Sequence, residues 1–351
     1  MAAKTIQVSD DNGSNWYTLP GNSGEFSDEA GSLDDTIFGQ LFQSGQPNLI
    51  GWSVNANALF KGFAGYTVDI KKTGTPTAMT DEAMSSIATD TYQITASTKR
   101  ILDPDTTIVV EDNNVAVAAS NIEYIDYLFG IVKFITAYTP TEPITITGKY
   151  LPQSTLAKYR NFTLTMTMDP IDNTDIPTAQ ANSGHRTFDP AGLKTVTMET
   201  SGVYDSTNGY RTDLVARSTL VIEVNPDGAG QTVARGFFKP TARGQSGNVG
   251  DLEEETASFT LFVPSSSVDY VSKMQTPFRW NFSSSTLSTA VQKCITAWQN
   301  ATGLDVQYLP DGTNGLKGDC VVADISLSGG LEAMNEFSVS LQGTGQVTAV
   351  P

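Results

Sequence analysis

The chain of 351 residues exceeds the usual size of one domain, so two or three units with separate cores are expected. Its 38 acidic residues outnumber 21 Lys and Arg, which gives a formal net charge of −17 and argues against binding to nucleic acid by net charge. Only 17% of the residues are charged, so Ser, Thr, Asn, Gln and Gly must cover much of the surface, a composition that suits β-rich proteins and assemblies.

The N-terminal segment, residues 1–48, predicts an extended arm. It is rich in Ser, Asp, Gly and Asn and carries only short apolar patches, at Trp16-Tyr17 and in the sequence IFGQLF. This apolar content is too small for a core, so we expect the arm to be disordered in the monomer and to order against a neighbouring subunit. The first residues lack a basic segment followed by an apolar run, and no later run reaches the length of a membrane span. Neither a secretory signal nor membrane insertion is expected.

A first β-unit is predicted at residues 49–154. In IGWSVNANALFKGF, apolar residues recur at period two and mark one face of a strand: Trp52, Val54, Ala56, Ala58 and Phe60. The next strand is GYTVDIKK, and β-branched or aromatic runs from TYQIT to ITITGKYL follow it, separated by Asp-Pro, Asn-Asn, Gly130 and Pro143. Short strands separated by such turn-forming residues predict an antiparallel meander.

A short helix is predicted inside this unit, in the sequence TPTAMTDEAMSSIA. Thr80 would cap its N-terminus. Asp81 and Glu82 would lie in its first turn, where the helix dipole favours negative charge.

A second β-unit is predicted at residues 155–351, after a hinge in QSTLAKYR. Strand patterns recur in it from FTLTMTM to NEFSVSLQGTGQVTAV. The unit also contains a predicted helix at residues 286–300, the only helix of three or more turns that the periodicity indicates. Its apolar stripe has spacings of four, three and four, at Leu287, Val291, Cys294 and Trp298.

The two predicted units share weak patterns. LIGWSVNANALFKGF is similar in period to LKTVTMETSGVY, and EPITITGKYL to NEFSVSLQGTG. Alternation in strands produces such similarity often, so duplication of one unit stays a hypothesis.

No catalytic, cofactor-binding or metal-binding residue is indicated, and the chain is predicted not to be an enzyme. The single histidine, His185, is expected to be a loop residue beside Arg186 rather than a general base. Cys294 and Cys320 form no CxxC motif and are expected to be reduced structural thiols. DLEEE is expected to be a solvated loop, DGTNGLKGD departs from the order of calcium ligands, and GQSGNVG lacks the context of a phosphate loop.

Several segments resemble the major tail proteins of long-tailed bacteriophages. GHRTFDPAGLKTVTMETSGVYD is similar to a segment of that family, and so are TPTAMTDEAMSSIATDTYQITASTKRILDP with NIEYIDYLFGIVKF, GDLEEETASFTLF and the final NEFSVSLQGTGQVT. The quoted segments run in order from Thr75 to Thr348, and the resemblance covers roughly residues 49–350. Many members of the family are one tube domain, whereas this chain is about twice that length.

The resemblance implies a mainly β protein, with sandwich or barrel units and a flanking helix, that stacks in rings as the tail tube of a virion. Its partners would be further copies of itself and the tail terminator, tape-measure and tail-tip proteins, with double-stranded DNA passing through transiently. Assembly would take place in the host cytoplasm. Two similar units per chain would favour rings of three chains, whereas one tube unit per chain would give rings of six with the other half outside as decoration.

An acidic lumen is predicted from the charge surplus, because inward positions recur at every second residue of a strand. The candidate lumen-facing acids lie beside strand patterns: Asp69, Glu111, Glu199, Glu223 and Asp324. Two other functions stay open, a carbohydrate-binding or adhesive β-sandwich and a glycan hydrolase with paired carboxylates. Exposed aromatic residues on a sheet face would favour the carbohydrate-binding module.

Overall fold

The computed structural model describes most of the chain. The described residues are 4–34, 45–59, 69–156, 159–227, 232–249, 252–264, 273–283, 285–330 and 335–351. They are mostly antiparallel β-structure, so the predicted mainly β class is confirmed. In these ranges, no helix has both the length and the apolar composition needed to cross a bilayer.

The chain divides into two units, and each unit is made of separate segments. Unit 1 comprises residues 1–67, 161–198 and 284–351, and unit 2 comprises residues 68–160 and 199–283. These are not the consecutive halves expected from the sequence, because strands from the start of the chain pair with strands from its end. The chain does pass from unit 2 to unit 1 at residue 161, close to the predicted hinge.

Unit 1 is built on one antiparallel sheet. Its strands are β1 (Thr5–Ser9), β2 (Tyr17–Thr18), β3 (Gly21–Asp34), β4 (Gly45–Leu59), β14 (Tyr159–Asp172, from Asn161 onward), β15 (Phe188–Val203, up to Met198), β20 (Leu304–Leu309), β21 (Gly315–Gly330) and β22 (Glu336–Val350). The order is β3–β4–β22–β21, and β21 then pairs with β14 along its second half and with β20 along its first half. Beyond β20 follow β1 and β2.

The predicted long helix exists and packs on this sheet. Helix α3 (Thr289–Asn300) contacts β21, β1 and β2, and Ser288 caps it by accepting a hydrogen bond from the Val291 amide at 3.4 Å. The stripe of α3 is buried, with Cys294 fully inaccessible and Trp298 3% exposed. In the described chain the other α-helices, α1 (Ile176–Ala181) and α2 (Tyr210–Ala216), are shorter, so α3 is the one helix of three turns there.

The predicted face of β4 is also confirmed where it is described. Trp52, Val54, Ala56 and Ala58 are all buried, each at most 3% exposed. They alternate with polar residues that are more accessible. Phe60 lies outside the described residues.

The prediction of an N-terminal arm is wrong for the described residues before Leu49. β1 pairs with β20 over its whole length, and β3 pairs with β4. Ile6 and Val8 are buried. These residues need few apolar side chains of their own because their backbone groups are paired within unit 1. The patch IFGQLF lies outside the described residues.

Unit 2 contains two antiparallel sheets. Its strands are β5 (Asp69–Thr73), β6 (Thr77–Ala88), β7 (Thr91–Ile94), β8 (Val109–Asp112), β9 (Val115–Ala116), β10 (Ile122–Asp126), β11 (Ile131–Phe134), β12 (Ile144–Tyr150), β13 (Gln153–Thr155), β16 (Leu220–Asn225), β17 (Val233–Ser246), β18 (Glu254–Leu261) and β19 (Phe278–Asn281). One sheet has the order β10–β11–β7–β6–β12–β8–β9, and the other has β13–β5–β16–β17–β18, with β19 also paired to β17.

The helix predicted in TPTAMTDEAMSSIA is wrong, because this segment is the strand β6. β6 pairs with β12 on one side and with β7 on the other. Met79 and Met84 enter the core that also contains Ile94, Ile146 and Phe134. Burial and two neighbouring strands therefore override the local helix signal. Asp81, the predicted first-turn acid, instead takes a left-handed backbone conformation with φ 48°.

The two units are built on different plans. Unit 1 has one sheet with α3 packed on it, whereas unit 2 has two sheets with other strand orders. Strands β4 and β22, which carry two of the four similar patterns, pair with each other in unit 1. The described strand orders therefore give no repeat that would correspond to the hypothesis of duplication.

Replacing Trp298 by Ala is expected to lower the free energy of unfolding by about 3–5 kcal/mol, as large-to-small changes in a core do. The ring is buried beneath Lys194, whose Nζ lies 5.3 Å from the ring centroid. Thr296→Ala, on the more accessible face of α3, is the control and should change stability little. Urea unfolding followed by circular dichroism checks both, and equal effects of the two substitutions would contradict the packing of α3.

Candidate functional site

Strand β3 lies at an edge of the sheet of unit 1. Among the described strands it pairs only with β4, in a continuous register from Ser23↔Asn57 to Ala30↔Ile50. Lys4 Nζ donates a hydrogen bond to the Gly24 carbonyl at 2.8 Å, which places that carbonyl at the edge away from β4. Successive residues of a strand alternate in direction, so the backbone groups of Asp28 also point to the open edge.

A groove of about 380 Å³ lies beside this strand within unit 1. Ser27 and Glu29 of β3 form one wall, and Arg186 and Phe188 line it as well, above Trp52 of β4. Arg186 is already neutralised, because its Nη1 lies 2.8 Å from the Asp172 carboxylate. The groove therefore offers polar contacts along an open strand.

The five sequence-predicted acids do not gather at one place. Asp324 lies on β21 in unit 1, whereas Asp69, Glu111, Glu199 and Glu223 lie on four different strands of unit 2. Glu199 is exposed, and Glu111 is half-buried, with its Oε2 accepting a hydrogen bond from Thr145 Oγ1 at 3.4 Å. Asp324 is half-buried, and burial raises its pKa. For Asp69, the structure places the backbone only, opposite Asn225.

Glu223 is a structural residue of unit 2, so its choice as a lumen-facing acid is corrected. Its side chain is 2% exposed, and Lys71 and Arg235 on the neighbouring strands β5 and β17 both pair with it. Gln153 and Asn225 donate further hydrogen bonds to its carboxylate, at 3.1 and 2.9 Å. Burial alone would raise the pKa of Glu223, but Arg235 and the other partners outweigh it and hold the pKa at about 2.

A second buried carboxylate, that of Asp126, is connected to this network because its partner Arg279 and the Glu223 partner Arg235 both contact the ring of Phe129. Asp126, 2% exposed, accepts hydrogen bonds from the amides of Leu128 and Phe129 at 3.0 and 3.1 Å and pairs with Arg279. The guanidinium groups of Arg235 and Arg279 lie 4.7 and 5.9 Å from the centroid of the Phe129 ring. Burial raises the pKa of Asp126, whereas Arg279 opposes that shift. The network thus links the two sheets of unit 2 by charge.

The described residues contain no group of three His, Cys, Asp or Glu that could hold a metal ion. His185 is a loop residue whose Nδ1 lies 2.8 Å from the Asn182 carbonyl, and both cysteines are buried and unpaired with each other. In DGTNGLKGD, Asp311 closes the turn between β20 and β21 by accepting hydrogen bonds from Thr313 and Asn314. His185, Asp311 and the two cysteines therefore make contacts that stabilise loops or the core.

One acid of DLEEE differs from the expected solvated loop. Glu255 is 5% exposed and pairs with Arg243 at 2.7 Å on the adjacent strand β17. Sequence reasoning also missed the pair of Asp126 with Arg279 and the opposed carboxylates of Asp305 and Asp319 in unit 1. The alternation in EETASFTL is the one signal that could have placed Glu255 on a buried face.

No protein-family model and no curated protein matches the chain. Among solved structures, it is similar to a chain in the tail of an empty gene transfer agent (GTA) particle, computed with helical refinement in C6 symmetry. The identity is 17%, the match covers 33% of this chain and 85% of that chain, and the TM-score is 0.28. A chain in the virion of a native gene transfer agent particle is 18% identical, with 31% and 84% covered and a TM-score of 0.28. Likeness at this level establishes neither a common fold nor a common role.

Replacing Glu223 by Gln is expected to lower the free energy of unfolding by about 3–5 kcal/mol at neutral pH, because Lys71 and Arg235 would lose their buried counter-charge. The carboxylate is stabilised in the folded state, so its contribution is present above pH 4.5 and is lost as the pH falls towards about 2. Denaturant unfolding across this pH range measures it. Glu199→Gln, at the exposed predicted acid, is the control and should be near neutral. A pH-independent loss in Glu223→Gln would contradict the charged network.

Proposed function

We propose that this protein is a structural subunit that polymerises into stacked rings, as the tail tube of a phage-like particle through which a genome passes. The observation that carries the proposal is the open edge of β3 in unit 1. The side of β3 that faces away from β4 presents backbone amides and carbonyls, such as those of Asp28, that can template pairing with another chain. Lys4 covers one carbonyl of this edge, at Gly24, and β3 itself contains acids but neither Lys nor Pro, so its other edge amides are not removed by Pro.

The family resemblance supports the same function. Three of the segments that resemble the family form the strands β15, β18 and β22. The flanking helix that the resemblance implies corresponds to α3. The described part of the chain has no metal-binding cluster and one half-buried histidine in a loop, and both findings fit a structural role better than a hydrolytic one. The partners implied by the resemblance, namely the tail terminator, tape-measure and tail-tip proteins, belong to this proposal.

The number of chains per ring follows from how many tube-forming units each chain supplies. Rings of three chains rest on two similar units per chain, and the two units differ in sheet order. We therefore propose the alternative, in which each chain contributes unit 1 to the wall and the ring contains six copies. The symmetry of ring images, or the mass of an isolated ring, tests this number.

The carbohydrate-binding alternative lacks the feature that would favour it. In the described residues, the large apolar side chains that are highly exposed are Ile, Val and Leu, whereas Trp, Tyr and Phe are buried or half-buried. A glycan-binding face usually presents aromatic rings for stacking. Negative-stain microscopy separates the functions, because only the tube subunit is expected to form rings or tubes.

Asp28→Pro is expected to abolish polymerisation and to leave the monomer folded, because it removes an amide that points to the open edge of β3 and not to β4. Asp28→Ala is the matched control, since it removes the same carboxylate but keeps the amide, and it should still form rings. Light scattering and negative-stain images measure assembly, and circular dichroism measures folding. If folded Asp28→Pro assembles as well as Asp28→Ala, pairing at this edge is wrong.

Assembled tubes are expected not to bind double-stranded DNA, because we propose a lumen with more Asp and Glu than Lys and Arg. Phosphate contacts to basic residues release counter-ions and would hold the genome in place, whereas an acidic wall repels it. Glu111, Glu199 and Asp324 stay candidates for this wall, with Asp69 placed by its backbone alone. Co-sedimentation of tubes with DNA at several salt concentrations checks the expectation, and tight, salt-sensitive binding would contradict it.

A further inference from the structure

Two carboxylates face each other across strands β20 and β21 of unit 1. The register pairs Asp305 with Asp319, and on its other side Asp305 lies opposite Ser9 of β1. Residues directly opposite in an antiparallel pair have Cβ atoms about 4.5–5.5 Å apart, and like charges at such positions destabilise the pair. Asp305 is half-buried and Asp319 is exposed, so solvent screens this repulsion only partly.

The loop after β1 adds another negative charge to the pair. Asp11 accepts hydrogen bonds from Ser9 Oγ at 2.7 Å and from the Asn15 amide at 2.9 Å. The Asn15 side chain and Ser9 hold the pKa of Asp11 at about 2, so it stays ionised in mild acid. The Gly13 amide in the same loop stabilises the ionised form of Asp305 and thereby opposes the repulsion.

Nearby cations do not neutralise the pair. Lys293 of α3 pairs with Asp10 and lies 5.6 Å from the centroid of the Tyr17 ring. Lys317 lies exposed on β21, opposite Gln307, and on β22 the residue opposite Asp319 is Thr344. The neighbouring Cys320 is a buried thiol whose pKa is well above its ordinary value, so it carries no charge. Among the described ion pairs, none includes Asp305 or Asp319.

Burial, a hydrogen bond with Asp319 and repulsion by the Asp319 carboxylate together raise the pKa of Asp305 to about 6. Two carboxylates that interact in this way titrate together, so the titration belongs to the pair and not to either residue alone. In the unfolded chain an Asp titrates at about 3.9, far from any such neighbour.

We propose that Asp305 and Asp319 form a proton-dependent clasp between β20 and β21. In mild acid a single proton bridges the two carboxylates and holds this end of unit 1 together with the Asp11 loop. At neutral pH the proton leaves, the two carboxylates repel each other, and the clasp loosens. This device concerns the folded single chain and does not depend on the proposed tube.

The direction of the pH effect is opposite to that of an ordinary paired carboxylate. The folded pair binds its proton more tightly than the unfolded chain does, so its stabilisation is complete below the unfolded pKa. That stabilisation is lost as the pH rises through about 6. We therefore expect the carboxylate pair to make a larger contribution to the stability of unit 1 at about pH 5 than at about pH 8.

The test compares the full chain with Asp319→Asn by thermal unfolding across this pH range. The Asn amide can donate to the Asp305 carboxylate, so the variant should match the unmodified chain at about pH 5 and exceed its Tm at about pH 8. Asp169→Asn is the control: it removes one exposed charge elsewhere in unit 1 and should shift Tm equally at every pH. A difference between Asp319→Asn and the unmodified chain that does not change with pH would overturn the clasp.

A direct titration of the aspartate carboxyl groups tests the clasp even if a variant folds poorly. NMR of aspartate carboxyl carbons should show one resonance with a midpoint near 6 in the unmodified chain, which Asp305→Asn removes and Asp319→Asn moves to lower pH. The absence of such a resonance would overturn the proposal. Millimolar calcium at neutral pH is the competing probe: if calcium restores the Tm of the unmodified chain and acid does not, the pair is a cation site and the proton clasp is wrong.

Discussion

Pairing between strands from opposite ends of the chain is the constraint on which unit 1 depends. β1 finds its partner in β20, and β4 finds its partner in β22, across nearly the whole length of the sequence. Each backbone amide and carbonyl in these segments must be paired or solvated, and the polar strands β1 and β3 have too few apolar residues to fold by themselves. The contacts are therefore non-local, which is why unit 2 can interrupt unit 1 in the sequence without breaking its sheet.

Charge has two different uses in the molecule. Inside unit 2, Glu223 and Asp126 are buried together with Lys71, Arg235 and Arg279, and each charge has a counter-charge. Burying these charges costs desolvation free energy, and their mutual attraction offsets that cost only if every charge stays paired. The network therefore favours one arrangement of the two sheets. At the surface, single ion pairs take the place of such a network, as between Asp172 and Arg186 and between Asp10 and Lys293, and the chain as a whole keeps a formal net charge of −17.

The open edge and the carboxylate pair lie on one sheet of unit 1, and we propose different roles for them. The edge of β3 exposes backbone groups whose pairing is independent of side-chain charge. The opposed carboxylates of Asp305 and Asp319 act through charge alone, on the other part of the same sheet.

The sequence by itself determined the mainly β class, the buried face of β4 and the helix α3, because alternation and helical spacing are local consequences of backbone geometry. Tertiary structure alone decided that TPTAMTDEAMSSIA is a strand, that the described strands of the predicted arm pair within a sheet, and that Glu223 is buried between two cations. Each of these depends on which strand lies beside which, and a residue's partner across a sheet is not encoded in its neighbours along the chain.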